Sequence, residues 1–171
     1  MMAPHMRRTW NPRGETPWLR HCGGTHRKVS AIGALCVAPD RSDVRLYFRL
    51  HPKANINAER VVDFLRGLVT QVDAPMILIW DRLDAHRAYR VQDFLAEYPQ
   101  LTTEFLPPYA PELNPIEYVW CYLKRNPLAN LAFFNLDQLT TTARRHTRSL
   151  QRKPDLLRSF LRHSPLALRL E

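Results

Sequence analysis

The stretch from Leu106 to Trp120, LPPYAPELNPIEYVW, constrains this chain more than any other. Four prolines between Pro107 and Pro115 leave the backbone few conformations. Asn114-Pro115-Ile116-Glu117 then reads as a helix start: a capping residue, a proline at the first helical position and a glutamate at the third. In the bland reading, Glu117 closes a capping box. A cap alone, however, has no need of Pro-Pro-Tyr-x-Pro in front of it. A rigid loop that fixes where a helix begins suits a carboxylate that must be held in place. Glu117 lies 36 positions after Asp81, and Asp81 ends the apolar run Met76-Ile77-Leu78-Ile79-Trp80. An acid at the carboxyl end of a buried strand is placed where ligands gather in open α/β sheets. Taken alone, Asp81 could equally be a turn residue closing that strand. Together, the two acids can approach one metal.

Length and composition permit a single domain with a real core: 171 residues, 45% of them apolar. The net charge of +9 is unevenly spread. Residues 1–30 carry six Lys/Arg against one Glu, residues 31–121 nine against twelve acids, and residues 122–171 ten against three. A mildly acidic centre between basic ends suits a polyanion held at the periphery with metal in the middle, although a solvated basic surface gives the same numbers. Cys22, Cys36 and Cys121 are too few and scattered for a disulfide framework, and the latter two sit in apolar patterns as small core residues. No apolar leader and no run long enough to cross a membrane is visible, so a cytoplasmic protein is expected.

Along the chain, residues 1–27 read as loop. Lys28 to Val37 and Val44 to Leu50 form a hairpin about the Pro39-Asp40 and Ser42-Asp43 turn. Asn57 caps a helix whose apolar stripe is Val61, Leu65, Leu68 and Val72. Met76 to Trp80 is a short uninterrupted apolar strand, as expected where both faces are covered. Asp84 is expected to cap the next helix, with Val91, Phe94 and Leu95 inward. Leu101 to Leu106 is a further strand, and the helix from Pro115 buries Ile116, Val119, Trp120 and Leu123. Two basic helices, 136–151 and 154–163, finish the chain. The predicted class is α/β, a mixed sheet with flanking helices in one domain over residues 1–171. The element order is that of a ribonuclease H-like domain without its first strand.

Divalent ions of the magnesium type prefer a few carboxylate oxygens plus substrate phosphate, and paired ions suit phosphoryl transfer. Asp81 and Glu117 are therefore the candidate catalytic and metal-holding residues, and a site of this kind normally needs a third carboxylate. Asp40 and Asp43 belong to the hairpin turn. Asp84 and His86 lie just past Asp81 and could touch a phosphate or tune the site, with His86 cast as a supporting helix-start residue. His21, Cys22 and His26 lack the spacing of a zinc site. Arg144, Arg145, Arg148 and Arg152 lead the densest basic stretch and are the candidate DNA contacts; a solvated helical face is the alternative.

At these residues the chain resembles the catalytic domain of bacterial insertion-sequence transposases of the mariner-like superfamily, the DDE endonucleases. The resemblance runs from Arg7-Arg8-Thr9-Trp10-Asn11-Pro12-Arg13-Gly14-Glu15-Thr16-Pro17, through the strand end Leu78-Ile79-Trp80-Asp81, to Leu106–Lys124 and on to His163. It implies a ribonuclease H-like fold and magnesium- or manganese-dependent DNA cleavage and strand transfer, with two ions in the complete site. Asp81 matches the second family acid and Glu117 the third. The first acid and its strand, and the family's helix-turn-helix region, have no counterpart in these residues, so activity of this chain alone is not expected. Arg82 stands where the family often has Asn. The implied partners are DNA, as transposon ends and target, and a second copy or a full-length transposase, in the bacterial cytoplasm at the nucleoid. The alternative is a DNA-binding remnant that does not cut.

Overall fold

The computed structural model describes residues 6–18 and 28–166. Its elements are β1 (Val29–Val37), β2 (Val44–Pro52), α1 (Ala58–Gln71), β3 (Met76–Trp80), α2 (Asp84–Arg87), α3 (Tyr89–Glu97), β4 (Leu101–Phe105), a single 3-10 turn (Pro111–Leu113), α4 (Pro115–Arg125), α5 (Leu136–Gln151) and α6 (Pro154–His163). The expected α/β architecture with flanking helices is present, and most element bounds fall within a residue or two of those read from the sequence.

The strands pair differently from one continuous mixed sheet. Among the described residues, β1 pairs only with β2, antiparallel, and β3 only with β4, parallel. The hairpin follows from its turn: Asp40 Oδ1 accepts from the Ser42 backbone N–H at 3.0 Å and from its hydroxyl at 2.7 Å. That local ring holds the reversal. Asp40 and Asp43 therefore sit at the hairpin tip, which Arg158 of α6 ties down through the Ser42 carbonyl. The parallel pair needs a crossover, supplied by α2 and α3.

Two apolar clusters result. One joins Val44 and Leu46 of β2 to Val119 and Leu123 of α4, Leu150 of α5 and Leu157, Phe160 and Leu161 of α6. The other joins Val61, Val62 and Leu65 of α1 to Trp80, Val91, Phe94 and Leu101. Ile32 of β1 packs against the second cluster, while Leu35 and Val37 of the same strand pack against the first. β1 is thus the seam between the two halves.

Two sequence expectations need correction. β3 is covered on one face only: Trp80 is buried, but Ile77 is 70% exposed and Ile79 38%. Alternate side chains of a strand point to opposite faces, and α1 and α3 cover only the Met76, Leu78 and Trp80 side. Asp84 is not a cap. Leu83 occupies the N-cap position of α2 with no side-chain cap bond, and the chain breaks again at Ala88 before α3.

Candidate functional site

Asp81 follows β3 directly, and its position is set by the strand end. The Leu106 backbone N–H donates to the Trp80 carbonyl at 2.8 Å, which extends the β3–β4 pairing one step past the strands. Arg82 Nε donates to the Leu106 carbonyl at 3.2 Å, and its guanidinium lies over the Phe105 ring at 5.9 Å. Arg82 therefore turns back onto β4.

The Asp81 carboxylate is held from one side. Its Oδ1 accepts from the Leu83 backbone N–H at 3.1 Å and lies 2.8 Å from His86 Nδ1. The His86 ring stacks on Trp80 with centroids 4.6 Å apart and planes 11° from parallel, and Trp80 stacks in turn on Phe105 at 5.9 Å. The hydrogen bond from His86 holds the Asp81 carboxyl below its ordinary value of 3.8, against partial burial, with the Leu83 N–H helping. No hydrogen bond engages Oδ2 among the described residues.

Glu117 lies in the first turn of α4, exposed. Asn114 caps this helix by accepting from the Ile116 N–H at 3.4 Å, and its own N–H donates to the Pro111 carbonyl at 3.1 Å. The reciprocal half of a capping box is therefore not made: the donor Glu117 would satisfy is already used. The loop before it is stiffened as expected. Pro108 leads into Tyr109 at φ 58°, a turn with proline first and a left-handed residue second. Beyond the sequence reading, the Ser164 hydroxyl donates to the Leu113 carbonyl at 2.9 Å, fastening the loop to the end of α6. The helix itself is located by Val119, fully buried, and by Trp120. The Trp120 ring would lie 2.9 Å from a Cβ placed on Gly33 of β1, so only glycine admits it there.

The structure thus presents two exposed carboxylates at element ends, with no hydrogen bond or ion pair between them. Among the described residues, no group of three His, Cys, Asp or Glu side chains could hold a metal ion. Asp84 is exposed in the first turn of α2. The candidates His21, Cys22 and His26 lie outside the described residues. Arg144, Arg145, Arg148 and Arg152 all lie exposed along α5 and beyond its end, opposite the buried stripe Leu136, Thr140, Ala143, Thr147 and Leu150. None of the four makes an ion pair among the described residues. Arg158, by contrast, is engaged with Asp155 and the hairpin tip. The supporting aromatic stack was not foreseen as a unit, although Trp80 and Phe105 stand opposite each other in the strand register.

The sequence profile described as DDE superfamily endonuclease matches residues 2–140. The chain belongs to this family. A curated relative, the uncharacterized protein y4pE/y4sA of Sinorhizobium fredii (strain NBRC 101917 / NGR234), is 34% identical over 87 residues, covering 50% of this chain and 62% of the relative. Among solved structures, the fold is similar to the protein in the Mos1 strand transfer complex, with TM-score 0.60 and 21% identity over 94% of this chain and 46% of that one. It is also similar to the Mos1 transposase catalytic domain with raltegravir and Mg, with TM-score 0.52 and 23% identity over 80% and 74%. The DDE family chain described here has the ribonuclease H-like fold of these domains, and it spans less than two thirds of the curated relative.

Proposed function

We propose that residues 1–171 form one catalytic unit of a DNA transposase, in which Asp81 and Glu117 hold divalent ions for DNA strand cleavage and transfer. The observation that carries this reading is the Glu117 carboxylate, exposed and without a partner among the described residues, in a helix turn already capped without it. Asp81 supports it: Oδ1 accepts from the Leu83 N–H and lies 2.8 Å from His86 Nδ1, while Oδ2 has no hydrogen bond among the described residues. Hard carboxylate oxygens are the donor type that magnesium or manganese takes. Bound there, such ions would neutralise charge developing on the scissile phosphate. Two carboxylates, Asp81 and Glu117, are too few to hold two metal ions. The remaining acid is proposed to come from a strand paired along the edges of β1 and β3 that have no partner among the described residues. The arginines of α5 offer phosphate contacts to transposon ends or target, and a second copy or a longer relative is the natural protein partner. Work at DNA would bring the protein to the nucleoid.

The test is metal-dependent nicking of a transposon-end duplex by the chain supplied with the acid-bearing strand. Asp81→Asn and Glu117→Gln should each reduce nicking by a factor of at least about a hundred. Cutting at the parental rate by Glu117→Gln would overturn the site. A second reading, DNA binding without cutting, is favoured by the exposed arginines of α5, which make no ion pair among the described residues. It predicts salt-sensitive binding that needs no metal.

A further inference from the structure

Arg82 is held in place without having its charge answered. Its Nε donates to the Leu106 carbonyl at 3.2 Å, and its guanidinium carbon lies 5.9 Å from the centre of the Phe105 ring. Leu106 is buried, and its N–H is bonded back to the Trp80 carbonyl at 2.8 Å. The acceptor that aims Arg82 therefore belongs to the joined ends of β3 and β4. Arg82 is nonetheless exposed. Among the described residues, its Nη1 and Nη2 groups make no hydrogen bond and no ion pair. Carboxylates are at hand in sequence and register: Asp81 precedes it, Asp84 follows, and Glu104 pairs with Ile79 across the ladder. None of them forms an ion pair with Arg82, and Asp81 faces Leu83 and His86 instead. An arginine in water ordinarily samples many rotamers. Here the bond to Leu106 and the Phe105 ring define where the planar fork lies, and its outer donors match the spacing of two phosphate oxygens.

We propose that Arg82 takes a phosphate of the DNA backbone at the carboxyl ends of β3 and β4, as a contact distinct from the arginines of α5. This rests on the DNA-binding reading shared by both proposed functions and needs no metal at Asp81. Because the guanidinium is oriented before DNA arrives, less side-chain freedom is lost on binding than for a solvated arginine. A phosphate held there sets the position of the strand beside Asp81 and carries no sequence preference.

The experiment uses the full chain in EDTA and a fluorescent mixed-sequence DNA duplex, with anisotropy recorded across a salt series. A parental chain that does not bind the duplex overturns the DNA reading and this inference together. Given binding, Arg82→Gln should weaken it by about tenfold at low salt and flatten the slope of log K against log salt by about 0.9, the value of one duplex phosphate. Arg82→Lys should restore the slope but only part of the affinity, because the charge returns without the planar fork. Arg41→Gln removes the same charge at the hairpin tip and should leave both quantities nearly parental. A parental slope in Arg82→Gln, or equal losses in Arg82→Gln and Arg41→Gln, overturns the proposal. Labelling the unaltered chain with an arginine-specific dicarbonyl, read by mass spectrometry, gives a check that needs no variant. The duplex should shield Arg82 and leave Arg41 reactive. An unshielded Arg82 overturns the proposal, as does equal shielding by inorganic phosphate at matched ionic strength.

Discussion

The Asn114 backbone N–H donates to the Pro111 carbonyl, and this bond releases Glu117 from a capping role. The separation of duties predicts a separation of effects. Asn114→Ala should cost about 1 kcal/mol, the usual value of a lost N-cap bond. Glu117→Gln should change stability by less than about 0.5 kcal/mol, as for an exposed side chain with no partner among the described residues. Urea unfolding of the two variants checks this. A larger loss for Glu117→Gln than for Asn114→Ala would return Glu117 to a structural role.

Gly33 and Trp120 form the contact that carries α4, and with it Glu117, onto β1. A methyl at position 33 would meet both the Trp120 ring at 2.9 Å and the Tyr47 carbonyl at 3.0 Å. The ring can tilt but the strand carbonyl cannot. Gly33→Ala should therefore destabilise the chain by about 1–3 kcal/mol, the range for overpacking a close contact. Denaturant titration gives the number, and near-ultraviolet circular dichroism should report a changed Trp120 environment. Unchanged values in both would mean that α4 is not seated there.

Asp81 adds an acid dependence with a definite sign. Its folded pKa is depressed chiefly by the hydrogen bond from His86. A depressed carboxyl stabilises the fold above its unfolded value, and that contribution is lost as pH falls through the folded value. The loss should begin below the ordinary value of 3.8 and disappear in Asp81→Asn. Because the side chain is about half exposed, solvent screens the effect and it should be small. Comparing stability between pH 5 and pH 2 in the two proteins is the measurement; identical curves would show that Asp81 is not so held.

Much of this architecture is legible in the sequence, and the illegible part has a common cause. The extent of β3 is read correctly because Met76–Trp80 is an unbroken apolar run between turn residues, though that run does not tell which faces are covered. α5 and α6 are read correctly because Asn135 and Pro154 mark their starts. What periodicity does not reveal is pairing between distant segments. The split into two ladders depends on which strand meets which edge, and no local pattern encodes that. The same holds for Trp80, Phe105 and His86, three rings from separate elements whose stacking is visible only in three dimensions. Asp84 misled because acidic residues favour both the N-cap and the first turn, and here it takes the second. Asp81 and Glu117 were legible as candidates because each stands at an element end with strong flanking signals.

The arginines of α5 supply a prediction that separates specific phosphate contact from general basicity. Arg144, Arg145, Arg148 and Arg152 share the exposed side and have no ion-pair partner among the described residues. Each phosphate neutralised by such a residue contributes about −0.9 to the slope of log K against log salt on duplex DNA. Replacing Arg144, Arg145 and Arg148 by Gln should flatten that slope by about 2–3 and weaken binding most at low salt. An equal reduction of charge through Arg41, Arg66 and Arg90, which lie on the hairpin tip, α1 and α3, should change it much less. If both triple variants flatten the slope alike, the chain attracts DNA by net charge and α5 is not its contact surface.

The free strand edges give the last prediction. β1 and β3 each have one edge without a hydrogen-bonded partner among the described residues, and Ile77 and Ile79 are exposed beside the second. Open backbone donors and acceptors beside apolar side chains recruit further strands. The isolated chain should therefore self-associate, with sedimentation showing species above the monomer as concentration rises. Ile77→Lys should suppress this, because a charge on the edge strand opposes stacking without entering either apolar cluster. It should leave the melting transition nearly unchanged, since Ile77 is already largely in water. A parental chain that stays monodisperse and melts cooperatively would show instead that the edges are protected, and that a strand supplied from elsewhere has no vacancy to fill.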